Sequence, residues 1–389
     1  MIIAYFDFTK FSKILIFAGI ITLTTTCSPT IDIKKPIDTQ SSIGLDRLVL
    51  TAVDYSKLLG WDSDVQTQVF PAFKRSCDYF TKLSPNRSIG IGGLVGDWLS
   101  SCVAMSNVND KDSQAVRDYF ETWFQPFLVS DGRNTKGLFT GYFEIELRGS
   151  QRRFGAYQVP LYIRPKDLPL DSTYYSRVEI EAGALRGNVD ELLWVDDLVD
   201  AHILHIQGSG RVHLDNGRIV QVGYNGSNGH KFIGLGRILL DHGKITHKDT
   251  TMQTVRTWLK MHPIEAKYLM AKNPRYIFFR LIDGDGPVGA AGIPLTKERS
   301  MAVDPHFVPL GIPIWLDSTD SDGRPLRRLM VAQDSGAAIK GPVRGDIYFG
   351  TGEAAFNKAG RMKNAGSYYI LLPKKPDFLK RLITRSILK

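Results

Sequence analysis

Apolar residues recur at helical spacing between residues 46 and 130. Leu48, Val49, Ala52, Leu58 and Leu59, then Val69, Phe73 and Phe80, predict helices there, and residues 115–124 predict another. From Gly137 to about Gly236 the pattern changes to short alternating runs broken by glycine. These predict strands over 137–145, 157–163, 201–206, 211–214 and 219–222. One helix returns over 252–270, where Val255, Trp258, Leu259, Ala266 and Leu269 form an apolar stripe. Strands then dominate again, over 276–281, 312–316, 329–332, 346–349 and 368–372. The expected fold is mainly β with helices, and many short strands at this spacing suggest a barrel. There is no internal repeat and no low-complexity tract.

Composition supports a packed core. The 389 residues are 43% hydrophobic and 23% charged, which excludes a disordered or collagen-like chain. Thirty-six Gly and nineteen Pro suit a turn-rich β protein. The net charge of +9 suits an anionic partner or surface and says nothing of fold. Three cysteines exclude a disulfide-dense scaffold and a four-cysteine zinc site.

The amino terminus reads as a secretory signal over residues 1–27. Lys10 and Lys13 precede an apolar stretch from Ile14 to Thr24, too short to span a bilayer as a helix, and small residues follow. The run ending in Cys27 is similar to a bacterial lipoprotein cleavage site, making Cys27 a lipidation candidate; simple cleavage nearby is the alternative. Residues 28–45 read as a linker and residues 373–389 as a solvated basic tail. In an exported chain Cys77 and Cys102 are a disulfide candidate, and closing a loop of that size contributes about 3 kcal/mol; two buried thiols are the alternative.

Most reactive motifs fail. His202 and His205 would face opposite sides of a strand, no H-E-x-x-H occurs, and no cysteine lies at ligand spacing from a histidine pair. Gly234-Leu235-Gly236 lacks the third glycine of a dinucleotide loop, and no Gly-Lys-Ser/Thr follows any loop. Ser209, between Gly208 and Gly210, does not complete G-x-S-x-G and reads as a tight turn with close backbone approach. What remains is a set of aspartates at strand–turn junctions: Asp304, Asp334 and Asp346. Each adjoins apolar strand residues. Burial raises a carboxyl pKa, and two carboxylates in one cleft split theirs, leaving one proton donor near neutral pH. Turn capping is the plain alternative for each.

At this point the residues resemble a known family. Phe139-Thr140-Gly141-Tyr142-Phe143-Glu144, Trp194-Val195-Asp196-Asp197, His205-Ile206-Gln207-Gly208-Ser209-Gly210-Arg211 and Val222-Gly223-Tyr224-Asn225-Gly226 are similar to segments of the membrane-bound lytic murein transglycosylase A family. The aspartates at 304, 334 and 346 resemble its three-aspartate carboxy-terminal module. The resemblance implies a double-psi β-barrel with a second β domain inserted in the chain and a glycan groove between them. Mapped here, the barrel takes 46–144 with 279–372, and the insert takes 145–278.

It also implies the chemistry. The β-1,4 bond between N-acetylmuramic acid and N-acetylglucosamine in peptidoglycan is cleaved without water, as the muramyl 6-hydroxyl closes on C1 to leave a 1,6-anhydro end. Asp346 matches the catalytic aspartate and Asp334 a supporting one. Thr140, Gly141, Tyr142, Gln207, Gly208, Ser209, Gly210, Asp304 and Lys340 match or adjoin groove positions. No metal, cofactor or nucleic acid is implied. The expected partners are glycan strands, a membrane tether through an amino-terminal lipid, and wall-synthesis proteins, in the periplasm at the outer membrane. The loop Pro342-Val343-Arg344-Gly345 departs from the His-Phe that some members carry before the acid. Tyr142, Tyr224 and Tyr348 are candidates for stacking on sugars, and Arg344 and Lys340 for meeting wall carboxylates. Two rivals stand beside this: a non-catalytic expansin-like wall-binding protein, and an aspartic protease built on Asp334-Ser335-Gly336, which needs a second such loop.

Overall fold

The computed structural model describes residues 31–33, 47–284 and 286–374. The expected signal segment with Cys27, most of the linker, and the tail beyond Lys374 lie outside the described residues. The amino-terminal part contains strands β1 (Ile31–Ile33) and β2 (Leu48–Ala52), helices α1 (Phe70–Phe80), α2 (Gly96–Ala104) and α3 (Ser113–Trp123), and strand β3 (Phe124–Ser130). Then come β4 (Gly137–Ser150), β5 (Val159–Tyr162), α4 (Arg177–Glu181), β6 (Glu191–Val195), α5 (Leu198–Gln207), β7 (Ser209–Leu214) and β8 (Ile219–Ser227). Helices α6 (Leu235–Asp241), α7 (Met252–Met261) and α8 (Pro263–Met270) precede β9 (Ile277–Ile282) and β10 (Ser300–Val303). The chain continues with β11 (Pro313–Thr319), β12 (Pro325–Ser335), β13 (Arg344–Thr351), α9 (Gly352–Ala359) and β14 (Lys363–Pro373). The protein is mainly β with helices.

Six strands pair in a closed circuit. β14 joins β11, β11 joins β12, β12 joins β10, β10 joins β13, β13 joins β4, and β4 returns to β14. The β10–β12 and β13–β4 pairs are parallel, so each closes across a long connection. β3, β2 and β1 extend this sheet from β14. Helices α1 to α3 supply an aromatic core of Phe73, Trp98 and Phe120 against Phe124, all fully buried. Cys77 of α1 and Cys102 of α2 are disulfide-bonded, with Cα atoms 5.3 Å apart.

β4 is the hinge of the architecture. Its fourteen residues extend about 46 Å at roughly 3.3 Å each. Pairing with β13 ends at Glu144, and pairing with β7 begins at Ile145. A second set of strands runs β5, β6, β4, β7, β8 and β9, and an isolated bridge from Ile163 to Phe279 ties the end of β5 back to β9.

Four local expectations are corrected. Leu48–Ala52 is a strand, because the continuous apolar run Leu48-Val49-Leu50 is buried between neighbouring strands and does not follow a helical stripe. Within the expected linker, Ile31–Ile33 pairs in parallel with Leu48–Leu50. Residues 201–206 belong to helix α5, which Asp197 caps by accepting from Asp200 N at 2.9 Å and Gly208 ends at φ +81°. Val199 through His205 are all buried, so no amphipathic period marks this helix, and His202 and His205 share a helix face where opposite strand faces were expected. The expected helix over 252–270 breaks between α7 and α8, since Pro263 cannot donate to the preceding turn.

Candidate active site

The central strand of the site is β10. Ala302 is in register with Asp334 of β12 on one side and with Asp346 of β13 on the other. Two strand spacings separate the aspartate Cα atoms by roughly 10 Å. On the far side of β13, Asp346 pairs with Thr140 and Tyr348 with Tyr142. Residues two apart in a strand share a face, so Thr140, Tyr142 and Glu144 line up beside Asp346 and Tyr348. Two segments about two hundred residues apart thus build one wall.

Each carboxylate has a distinct set of donors. Thr140 Oγ1 donates to Asp346 Oδ1 at 2.6 Å, and Arg344 Nη2 donates to Thr140 Oγ1 at 2.8 Å. Asp346 Oδ2 has no hydrogen-bond partner among the described residues. Asp334 Oδ1 accepts from Ala290 N at 2.9 Å and Ser335 N at 2.8 Å, and its Oδ2 accepts from Tyr142 OH at 2.8 Å. Both aspartates are half-buried. Burial pushes Asp346 up to about 6; the Thr140 bond and the Arg344 charge oppose this, and the Asp334 charge adds to it. Burial also raises Asp334 above the usual carboxylate range, against the bonds from Tyr142, Ser335 and Ala290. Three donors nevertheless suit the ionised form of Asp334, whereas Asp346, with one donor, is held less firmly as the carboxylate.

Farther along the same wall lies a second polar cluster. Glu144 is fully buried and accepts from Thr351 Oγ1 at 2.8 Å, Tyr348 OH at 3.3 Å and Gln221 Nε2 at 2.5 Å, with Arg211 Nε at 3.6 Å. In the sequence, Glu144 has no role beyond its place at the end of Phe139-Thr140-Gly141-Tyr142-Phe143-Glu144. Its position four residues beyond Thr140, on the same strand face, is the signal that could have found it.

Of the expected site residues, the fold brings together Asp334, Asp346, Thr140 and Tyr142. Gly141 lies on the opposite face, where a Cβ would come within 2.6 Å of the Phe349 ring and 2.8 Å of the α9 backbone at Ala359. Gln207 Oε1 accepts from Phe143 N at 3.1 Å, at the point where β4 leaves β13 for β7. Gly208 ends α5, Ser209 opens β7 and is not in a tight turn, and the close approach falls at Gly210, where a Cβ would be 2.8 Å from Ile145 O. Gly210 pairs with Ile145, about 16 Å along β4 from Thr140. Asp304 is a turn anchor: buried, it accepts from His306 N at 3.2 Å and Gly341 N at 2.9 Å. Lys340 Nζ lies 3.9 Å from it and is exposed. Of the three tyrosines, Tyr348 is buried, so its ring offers no sugar face, while Tyr224 is 52% exposed. A cavity of about 310 Å³ opens away from the aspartates, beside Asp196, Asp197, Asp200 and Lys260, whose charges are already paired with one another or with Arg148 and Arg256.

The chain has counterparts. Residues 138–280 match the MltA specific insert domain, and residues 299–372 match the 3D domain. The chain is 34% identical over 241 residues to membrane-bound lytic murein transglycosylase A of Escherichia coli K12, covering 60% of this chain. The match spans 65% of that relative's length. Among solved structures, the lytic transglycosylase LtgG of Burkholderia pseudomallei is 39% identical with a TM-score of 0.59, covering 86% of this chain and 99% of that one. A membrane-bound lytic murein transglycosylase from Agrobacterium tumefaciens is 32% identical with a TM-score of 0.77 over the same shares, 86% and 99%.

Proposed function

Since the chain belongs to the membrane-bound lytic murein transglycosylase A family, we propose that it cleaves peptidoglycan glycan strands between N-acetylmuramic acid and N-acetylglucosamine, with Asp346 as the acid. The observation that carries this is the Asp346 carboxyl itself. It is half-buried, its pKa is pushed up to about 6, and one oxygen is bonded to Thr140 while the other has no partner among the described residues.

Asp346 Oδ2 donates its proton to the glycosidic oxygen as the bond to C1 breaks. The muramyl 6-hydroxyl attacks C1, and its proton passes to the carboxylate, restoring the acid and leaving a 1,6-anhydro end. No protein nucleophile and no water are consumed. Asp334, held by three donors, contributes a fixed negative charge near the oxocarbenium-like centre. An aspartic protease needs two carboxyls sharing one proton, whereas Asp334 is bonded to Tyr142 and two backbone amides.

The closed six-strand circuit supports reading the first unit as the double-psi barrel, and the strands from Ile145 to Ile282 as the inserted unit, four residues longer than expected. Glycan strands would lie along the face that carries Asp346, and the protein would work in the periplasm, tethered at its amino terminus. No helix among the described residues is long and apolar enough to cross a membrane.

Digestion of purified sacculi, with mass spectrometry of the soluble products, tests the assignment. Wild type should release anhydro-muropeptides, and Asp346→Asn should lose at least about 100-fold of that activity while still binding sacculi. Full activity in Asp346→Asn would remove the assignment.

A further inference from the structure

We propose that Arg344 is a positioning residue: it fixes the direction of the Thr140 hydroxyl and thereby confines the acidic proton of Asp346 to Oδ2. This rests on the acid role given to Asp346 above. A guanidinium has donors and no acceptor. Arg344 Nη2 lies 2.8 Å from Thr140 Oγ1, so the hydroxyl oxygen must accept there. One lone pair of that oxygen is thus taken, and the hydroxyl proton is turned away from the guanidinium toward the 2.6 Å contact with Asp346 Oδ1. An oxygen receiving that proton does not hold the carboxyl hydrogen on the same line. The hydrogen therefore sits on Oδ2, which has no partner among the described residues and is the oxygen left for a leaving group.

The arrangement is held from behind. Arg344 Nη1 also donates to Leu138 O at 3.1 Å and to Gly345 O, so the guanidinium is clamped between β13 and β4. Arg344 and Asp346 are two apart in β13 and share its face, which places the cation one hydroxyl away from the acid and out of direct hydrogen-bond contact. Without Arg344, the Thr140 hydroxyl is free to turn and accept from Asp346. The proton would then be spent on an internal bond and withheld from the glycan. Thr140 also has no hydroxyl proton left to offer a sugar, so its place in the site is to orient the acid.

Steady-state digestion of sacculi across pH tests this with Arg344→Met, Thr140→Val, the double variant and Thr140→Ser. Arg344→Met should lower kcat about 10-fold with KM changed less than about 2-fold. The falling limb of its pH profile should move to higher pH, because a charge and an oriented donor that favour the carboxylate are gone. The double variant should be no slower than Thr140→Val alone, since Arg344 acts through that hydroxyl. Thr140→Ser should recover most of what Thr140→Val loses. Arg344→Gln serves the same test where Met is not accommodated, and its limb should move the same way. An unmoved limb, or losses that multiply in the double variant, would overturn the proposal. A wild type that makes no anhydro-product would instead remove the acid assignment beneath it.

Discussion

Asp346 and Asp200 are both aspartates taken largely out of water, yet the protein treats them oppositely. Asp200, in the first turn of α5, is 7% exposed and receives Arg256 Nε at 2.6 Å, Arg256 Nη2 at 2.8 Å and Lys260 Nζ at 2.6 Å. Burial alone would raise its pKa, but these direct cationic bonds outweigh it and hold the carboxyl below its usual range. At Asp346 burial wins. The guanidinium of Arg344 reaches the carboxyl only through the Thr140 hydroxyl, and the neighbouring charge, Asp334, is of the wrong sign to help. A cation in contact makes a structural anion. A cation one hydroxyl removed leaves a carboxyl whose pKa stays raised.

The largest expected effect that separates the two is on folding. Asp200→Ala strands Arg256 and leaves Lys260 with Asp197 alone; the two cations are each about a third exposed, and we predict a loss of about 2 kcal/mol in urea unfolding, less than for a fully buried pair. The folded fraction should keep its activity. A loss below about 0.5 kcal/mol would mean that the cluster behaves like a surface pair.

A smaller effect of opposite sign belongs to Asp346→Asn. A carboxyl whose folded pKa is raised contributes stability below its unfolded pKa of about 3.9, and that contribution is lost as pH rises through the folded value of about 6. Above about pH 7 the wild type must bury a charge that the asparagine variant does not carry. Allowing for the site's partial exposure, we predict that the variant is more stable by about 2 kcal/mol at about pH 7.5, with the gain vanishing near about pH 4. Chemical unfolding of both proteins at the two pH values checks this. Equal stability throughout would mean that Asp346 is not held against its ionisation.

The same two aspartates show what could be read from the chain. The alternation around Asp346 and Asp334 exposed both as polar residues at the ends of apolar strands, and Thr140 and Tyr142 stood in a motif that carried the family resemblance. Their juxtaposition through Ala302 was not legible, because it depends on a parallel β10–β12 pairing across a gap of some thirty residues, and on a register shift between Met301 and Ala302. Asp200 went unread for another reason. Its helix is buried on nearly every side, so residues 201–206 show no helical stripe and read as a strand. Arg344 was legible only as a cation for meeting wall carboxylates. That it donates to a hydroxyl 204 positions away was not.

A direct measurement is a carbon-13 titration of the side-chain carboxyls, with the Asp346 resonance assigned by its absence in Asp346→Asn. One aspartate resonance should titrate near about 6 and disappear in the variant. An Asp346 carboxyl that titrates near about 4, as an ordinary solvated aspartate does, would contradict it.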